Sequence, residues 1–512
     1  MSRPLVLFCT ALLVLAGLVP IVWMLARIDG SDLGGIFDAR TLSLLVRTCW
    51  IGAGSAGLAF VLGLPFGFLV ARTDVPCARF LRHAGLVPLL VPPVMLAMTM
   101  VVMFDALRGP GAIILVLGVG TFPLVAVFSG RAFERIDARR EEAALLVGGL
   151  RSALRMELPL VLPAAASAAC LSFVLAINDF AVPDYMTSIG SKVNVYADEI
   201  FASWQSVHTP GKAVAAALPL LVLTLCVLLP ALALRRRGSL ATWDGDFRRP
   251  QPLALGAWRW PLFALAFVLV ALTAALPLVR LCWEAGGGPR GWSFAGFGAA
   301  FARAVEVGRA DLQRSLLYSS AAALISLLPG LVLGHALQRS RASAWLEPLV
   351  LAPLAVPAIL FGIGYIALWN HPATGLFYAS GSMVVLLYIG RFACFPIFAG
   401  AGATAMLDPH LEEAAQLANA GPLRRLTGIV QPALRTSLLG GAALVFVFGM
   451  RELDAAILVP AANGTAMFRV YNAIHFGRDD FVAALALLIV FFILLPGILW
   501  SAFGRERWEA AA

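Results

Sequence analysis

Long apolar runs without a charged side chain constrain the fold of this chain more than any other feature. Residues 213–234, 260–279 and 481–504 are three such runs. A helix needs about 20 apolar residues to cross the hydrocarbon core of a bilayer, and it satisfies its own backbone polar groups while doing so. Runs of this kind recur about twelve times along the chain, a number that suits a polytopic protein of helices near 20 residues each. The sequence therefore predicts an all-α membrane protein.

Composition excludes the other broad classes. The chain of 512 residues is 60% hydrophobic and 13% charged, whereas soluble globular proteins are roughly 25% charged. Intrinsic disorder needs the opposite balance, with few apolar and many charged residues. The net charge of +9 could indicate a nucleic-acid partner, but the arginines lie in short loops between apolar runs. That placement is typical of membrane proteins with basic cytoplasmic loops, so no nucleic-acid partner is expected.

Hydropathy and charge place twelve spans and orient them. Arginines cluster in alternate loops, for example Arg131 with Arg135, and Arg424 with Arg425. These loops are predicted to be cytoplasmic, which puts both termini in the cytoplasm of a bacterial inner membrane. The apolar stretch of 4–26 is longer than that of a signal peptide, so it is interpreted as a retained first helix. The predicted spans are about 4–26, 43–70, 84–104, 111–130, 157–182, 212–234, 258–280, 311–337, 347–369, 379–400, 435–458 and 480–503.

The two halves of the chain resemble each other. The clearest matching pairs, each 267 positions apart, are Gly63 and Gly330, Gly67 and Gly334, Arg47 and Arg314, and Arg72 and Arg339. Because each copy holds an even number of spans, both run in the same orientation through the bilayer, an arrangement known from transporters. The predicted organisation is a first six-helix repeat at 1–237, a cytoplasmic linker at 238–257 and a second six-helix repeat at 258–512.

One loop motif is duplicated near the same period. Glu141-Glu142-Ala143-Ala144 and Glu412-Glu413-Ala414-Ala415 lie between the fourth and fifth spans and between the tenth and eleventh. Glutamates suit the first turn of a helix, and paired alanines favour a helix with a flat surface for close docking. Gly148 or Asn419 can take the left-handed conformation that ends a helix. We therefore predict two short exposed helices on the arginine-rich side, suited to a partner with two-fold symmetry.

These loops resemble the EAA loop of binding-protein-dependent ABC importer permeases, in which Glu-Ala-Ala is followed after three residues by Gly. The second copy has Asn419 in place of that glycine. The family pattern continues to a Leu-Pro pair, and in the first copy this pair, Leu158-Pro159, comes two residues early. The resemblance implies a type I permease fold of about twelve helices, coupled to a dimer of cytoplasmic ABC ATPase subunits. It also implies an extracytoplasmic substrate-binding protein as a second partner. The coupling residues carried over are Glu142, Ala143, Ala144 and Gly148, with Glu413, Ala414, Ala415 and Asn419.

The resemblance also bears on the substrate. Fused twelve-span permeases of this kind are typical of the ferric-iron importer family, so ferric iron is the first expectation. Thiamine, putrescine or an aminophosphonate are the alternatives, because related permeases share these loops.

Charged residues at the ends of equivalent spans are candidates for the translocation path. The fifth span ends at Asn178-Asp179, and the eleventh contains Arg451-Glu452-Leu453-Asp454. These five polar side chains could line a path or gate for a cationic or chelated substrate. The structural alternative is an Arg451–carboxylate pair with solvated helix ends. Arg391 is a further candidate for pairing with Glu157 or another carboxylate.

Several chemistries are absent from the sequence. The only Gly-Lys pair, Gly211-Lys212, is followed by alanine, so the phosphate-binding loop of an ATPase is missing. The histidines are scattered, and the cysteines show no metal-ligand spacing. We therefore expect no cofactor or metal in this chain, and no enzyme activity of its own. An ion-driven secondary transporter is the alternative from another class, and it would leave the duplicated loops unexplained.

Overall fold

The structure is a computed structural model of the chain. It describes residues 3–34, 38–103, 108–190, 193–207, 210–239, 248, 250–288, 291–340, 343–458, 460–474 and 479–503. Within these ranges the regular secondary structure is helical, and the one β-type contact is an isolated parallel bridge between Thr73 and Leu253. The prediction of an all-α fold is confirmed.

Nine helices in the described part of the chain are long and apolar enough to cross a membrane. Three further pairs of helices qualify together if each bent pair counts as one span, which gives up to twelve. The twelve agree in order with the spans predicted from the sequence. The spanning helices are α1 (Arg3–Leu25), α2 (Ala39–Arg72), α3 (Ala78–Leu90), α4 (Pro93–Val101), α5 (Pro110–Glu134), α6 (Ala138–Asn178), α9 (Gly211–Leu234), α10 (Gly256–Gly286), α11 (Phe294–Arg339), α12 (Ala344–Ala355), α13 (Ala358–Trp369), α15 (Gly381–Phe392), α16 (Cys394–Met406), α18 (Pro422–Arg451) and α20 (Asp480–Ile498).

Shorter helices connect them. These are α7 (Ala181–Ile189), α8 (Tyr196–Val207), α14 (Gly375–Tyr378), α17 (Pro409–Leu417) and α19 (Ala466–Ile474).

Prolines explain the two sharpest bends. Helices α3 and α4 meet at 95°, and α12 and α13 meet at 99°. Pro92 and Pro357 occupy these two breaks. Proline has no N–H to donate and disfavours a helical conformation in the residue before it, so each helix stops there. The third bend, between α15 and α16, is 43°.

The chain forms two compact units, each made of stretches that are separated in the sequence. The early unit comprises Gly35–Glu199 and Leu218–Gly287. The late unit comprises Met1–Gly34, Ile200–Ala217 and Gly288–Ala512. Each unit therefore includes the first span of the other sequence repeat. The division into repeats at 1–237 and 258–512 is a statement about sequence duplication and stays a prediction.

Close packing of small and aromatic residues holds the early unit together. Its core includes Phe66 and Val70 of α2, Phe122 of α5, and Ala266 and Val270 of α10. The phenyl rings of Phe66 and Phe122 meet edge to face, with centroids 5.8 Å apart. Helix α10 is thus part of the core of this unit, although it follows the linker in sequence.

The late unit packs α1 against its own helices. The Tyr365 hydroxyl donates a 2.6 Å hydrogen bond to the Ala16 carbonyl oxygen. That carbonyl lies in a π-helical stretch, Val14–Leu18. Such a stretch shifts carbonyls away from regular helical pairing and frees them for other donors. Helix α10 has a π-helical stretch at Ala271–Ala275, so the first spans of both repeats share this irregularity.

Candidate functional site

The first duplicated loop forms a short helix of its own. Asp137 caps its start, and the Asp137 carboxylate accepts a 2.9 Å hydrogen bond from the Arg139 N–H. Gly148 and Gly149 then interrupt α6, because neither has helical backbone angles. Residues 138–147, here called the first loop helix, are therefore separated from the membrane-spanning part of α6.

The second duplicated loop has the same construction. Helix α17, here called the second loop helix, is capped by Asp408, whose carboxylate accepts a 2.9 Å hydrogen bond from the His410 N–H. Asn419 has a φ of 55° and follows the end of the helix. The left-handed conformation predicted for Asn419 is confirmed. The corresponding prediction for Gly148 is wrong by one residue, since Gly149 has the φ of 61° and Gly148 has −158°.

The predicted coupling residues lie on the exposed faces of these helices. The side chains of Glu142 and Glu413 are 54% and 66% exposed. Ala143 and Ala414 are exposed as well, whereas Ala144 and Ala415 are half-buried. Each loop helix therefore presents an acidic residue beside small apolar side chains.

Sequence reasoning missed a pair of exposed leucines on the same surfaces. Leu146 and Leu417 are 89% and 87% exposed and lie 271 positions apart, the same offset as the glutamates. Large apolar side chains this exposed typically mark an interaction surface. The offset was the signal that could have identified them.

The first glutamate of each pair points the other way, into its own unit. In the early unit, Glu141 Oε1 lies 2.5 Å from Nη2 of Arg72, the last residue of α2. The same guanidinium donates a 3.2 Å hydrogen bond to Glu157. All three side chains are at most 5% exposed. A buried charge needs such a partner, because burial removes it from water.

The late unit contains the equivalent arginine–glutamate contact, with side chains that are more exposed to solvent. Arg339, the last residue of α11, has its Nε 3.2 Å from Oε1 of Glu412. Nε2 of His335 lies 2.8 Å from the other oxygen of Glu412. Arg339 also donates a 2.6 Å hydrogen bond to the Leu407 carbonyl oxygen. Sequence reasoning paired Arg72 with Arg339 across the repeat but did not connect either one to a loop helix.

Residues of the predicted linker contribute to the early contact. Arg72 donates a 3.1 Å hydrogen bond to the carbonyl oxygen of Gln251, and the Leu253 N–H donates a 2.7 Å bond to the carbonyl oxygen of Arg72. The Ala138 N–H, at the start of the first loop helix, donates a 2.9 Å bond to the carbonyl oxygen of Arg248. The chain before α10 is therefore attached both to the end of α2 and to the first loop helix.

The predicted path residues of the early unit lie at the end of α6. Asn178 donates hydrogen bonds to the Val174 carbonyl oxygen at 2.8 Å and to the Thr224 hydroxyl at 3.3 Å. Asp179 follows in an extended conformation, and its carboxylate accepts a 2.9 Å bond from the Val182 N–H. Asp179 thereby satisfies a backbone N–H in the first turn of the next helix, α7.

The late unit repeats this arrangement at the end of α18. Glu452 is extended, and its carboxylate accepts a 2.8 Å hydrogen bond from the Ala455 N–H. The same carboxylate forms a 2.7 Å ion pair with Arg391. The sequence left open whether Arg391 pairs with Glu157 or with another carboxylate. In the structure Arg391 contacts Glu452, and Glu157 contacts Arg72.

The remaining two candidates lie beside this pair in sequence. The guanidinium of Arg451 lies 5.1 Å from the ring centroid of Phe448. Asp454 is half-buried. Asn178 and Asp179 belong to the early unit, and Arg451, Glu452 and Asp454 belong to the late unit.

Across the described ranges, no group of three or more histidine, cysteine, aspartate or glutamate side chains is arranged to hold a metal ion.

Comparison with known proteins extends these observations. Residues 63–240 match the family described as the inner membrane component of binding-protein-dependent transport systems. The matched stretch includes the end of α2, all of α3 to α9 and the first loop helix. This part of the chain is therefore similar to transport permeases, the class of protein that the EAA-like loops predicted.

Individual relatives are permeases as well. The molybdate/tungstate transport system permease protein WtpB of Pyrococcus abyssi is 27% identical over 199 residues, 38% of this chain and 76% of that protein. The molybdenum transport system permease protein ModB of Mycobacterium tuberculosis is 28% identical over 243 residues, 42% of this chain and 89% of that protein. The putrescine transport system permease protein PotI of Escherichia coli is 23% identical over 194 residues, 37% and 69% of the two chains. The prediction of a transport subunit rather than an enzyme is confirmed.

Proposed function

We propose that this chain is the membrane-spanning permease subunit of an ATP-driven, binding-protein-dependent importer, and that its two loop helices dock into a cytoplasmic ABC ATPase dimer. One observation supports the proposal above the others. Two short helices at the repeat period both begin at a capping aspartate and end at a left-handed residue, and both expose a glutamate and a leucine.

The energy source is a separate polypeptide in this proposal. The sequence has no phosphate-binding loop of the Gly-Lys-Ser/Thr type. A loaded binding protein docks on the outer face, and ATP closes the ATPase dimer on the inner face. The loop helices move with the ATPase, and the permease passes between inward-open and outward-open states. Each partner shifts this equilibrium only because it binds one state better than the other.

The substrate is a small ion delivered by the binding protein. Two of the relatives are named for molybdate, tungstate or molybdenum, and these names favour an oxyanion. Putrescine, one of the alternatives from the sequence, is supported by the similarity to PotI. Ferric iron, the first expectation from the fused architecture, is named in none of these three relatives and stays a prediction.

Charge reversal of the exposed glutamates tests the coupling assignment. We expect Glu142→Arg combined with Glu413→Arg to abolish retention of the ATPase and substrate uptake, while leaving membrane insertion intact. The reason is that both side chains are more than half exposed, and so are their ion-pair partners Arg248 and His410. The measurement is a pull-down of the tagged chain with its cognate ATPase, together with uptake in proteoliposomes.

The matched control is Glu306→Arg, which reverses an exposed glutamate on α11, far along that helix from its end at the second loop helix. It should retain the ATPase as the wild type does. Unchanged uptake in the double variant would remove the coupling assignment. Uptake by the purified chain without any ATPase would instead support the ion-driven alternative.

Substrate identity is best determined on the binding protein. The cognate binding protein, purified with its natural ligand, is analysed by mass spectrometry and elemental analysis. Molybdenum or tungsten would support the oxyanion, whereas iron or a polyamine would select one of the other two.

A further inference from the structure

The Arg–Glu contact beneath each loop helix occurs twice at the repeat period. Arg72 and Arg339 lie 267 positions apart, and Glu141 and Glu412 lie 271 apart. Each arginine is the last residue of a long membrane-spanning helix, α2 or α11. Each glutamate directly precedes the exposed glutamate of its loop helix. The two adjacent glutamates therefore face in different directions, one toward the unit and one toward a partner.

The arginines belong to helices that are closely packed within their units. Gly67 of α2 lies so near α5 that an added Cβ would be 2.5 Å from the Ala126 carbonyl oxygen. Gly334 of α11 has the same relation to α16, where a Cβ would be 2.8 Å from the Ile397 carbonyl oxygen. Interiors packed in this way transmit displacement rather than absorb it. A movement that reaches the arginine is thus passed to the helices behind it.

We propose that Arg72–Glu141 and Arg339–Glu412 are the links that pass movement of the loop helices to α2 and α11. The four side chains are positioning residues, and the neighbouring Glu142 and Glu413 are left to contact the ATPase. This inference rests on the proposed function, because it needs an ATPase that moves the loop helices.

The two links differ in construction. The early link is buried, contains the second carboxylate Glu157 and is joined by Gln251 of the predicted linker. The late link is partly open, since Arg339 is 26% and Glu412 is 18% exposed. Removing one partner of a buried pair leaves an uncompensated charge and endangers folding. The late link is therefore the better place for charge reversal.

The test uses Arg339→Glu, Glu412→Arg and the double exchange, each in the full chain with its cognate ATPase and binding protein. We expect both single variants to retain the ATPase in a pull-down but to lose uptake per ATP hydrolysed by about 5–150-fold, the range typical of coupling between two sites. The double exchange restores the opposite charges, so it should recover most of the lost uptake. Arg309→Glu on the same helix, exposed and far from the loop helix, is the control.

Glu141→Gln examines the early link with a change that keeps the shape of the side chain. It should likewise retain the ATPase and reduce uptake per ATP, in a protein that stays monodisperse in detergent.

Three results would overturn the inference. Wild-type uptake per ATP in the single variants would show that the link transmits nothing. Loss of the ATPase in the single variants would make Glu412 part of the docking surface instead. Failure of a well-folded double exchange to recover uptake would show that the pairing itself is irrelevant. Failure of the wild-type chain to retain any ATPase would, by contrast, contradict the proposed function itself.

Discussion

A buried carboxyl group illustrates how much a single residue depends on its surroundings. Asp198 lies on α8, which is not among the candidate membrane spans. Burial, together with the negative charges of Asp184, Asp179 and Glu199, raises the pKa of Asp198 to about 8, although a hydrogen bond from the Val195 N–H opposes the shift. Folded Asp198 therefore keeps its proton at pH values where the unfolded chain has lost it.

Asp198→Asn should remove a pH dependence of stability. Because the pKa is raised on folding, the unfolding free energy falls as pH rises from about 4 toward 8, the interval between the unfolded and folded pKa values. The asparagine variant cannot ionise, so we expect it to be more stable than the wild type at pH 9 by up to about 5 kcal/mol, given about 1.4 kcal/mol for each pKa unit between the two values. At pH 4 the two proteins should unfold alike. Thermal unfolding in detergent at both pH values measures this.

Asp38→Asn is the comparison for that experiment. The N–H of Thr41 donates to the Asp38 carboxylate and lowers its pKa. A lowered pKa contributes stability that is lost as pH falls, so this variant should gain nothing at pH 9. An equal gain in both variants would contradict the assignment to Asp198.

Glycines let some pairs of helices pack closely, because they place no side chain at the contact. An added Cβ on Gly67 would lie 2.4 Å from the Ser129 hydroxyl oxygen as well as close to the Ala126 carbonyl oxygen. Real Cβ atoms do not approach other atoms this closely, so α2 and α5 could not keep their separation. The structure thus identifies α5 as the helix that packs against Gly67.

Gly67→Ala should therefore destabilise the protein by about 1–3 kcal/mol, the usual cost of overpacking. Gly57→Ala on the same helix is the matched control, because a Cβ there meets nothing within 4 Å. That control should be neutral or more stable by about 0.5–1 kcal/mol, since alanine favours the helix over glycine. Thermal unfolding of the two variants side by side decides the matter, and equal melting temperatures would argue against the packing explanation.

At the scale of the whole molecule, the early unit includes α10 from the second half of the chain, and the late unit includes α1 from the first half. The early unit lacks part of its core without α10, since Ala266, Val270 and Ala274 all lie in the buried cluster. The late unit likewise includes α1, held by the bond from Tyr365 to Ala16. A chain cut in the linker would divide both units.

Fragments 1–239 and 248–512 test this organisation. Neither fragment contains all helices of either unit, so we expect each one alone to aggregate after solubilisation. Coexpressed fragments should copurify as one monodisperse species, because each supplies the helix that the other lacks. Size-exclusion chromatography of the single and paired fragments provides the readout. Two fragments that are monodisperse alone and do not associate would show that the repeats, rather than the exchanged units, are the folding units.

The sequence by itself determined the twelve apolar spans, their helical nature and the two loop helices. These follow from local properties, namely uncharged runs long enough to cross a bilayer, capping residues and a motif repeated at a fixed period. The left-handed conformation of Asn419 was predicted correctly for the same reason. The prediction for Gly148 was wrong by one residue, because either of the two adjacent glycines, Gly148 and Gly149, could take that conformation.

Only the tertiary structure decided which charged side chains meet and which compact unit includes α1 and α10. Arg391 pairs with Glu452, and Arg72 holds both Glu141 and Glu157. These partners are far apart in the sequence, and their distances depend on how whole helices pack. The two adjacent glutamates of each loop are chemically identical in the sequence. The packing of the helices brings the first into contact with an arginine of its own unit and leaves the second exposed.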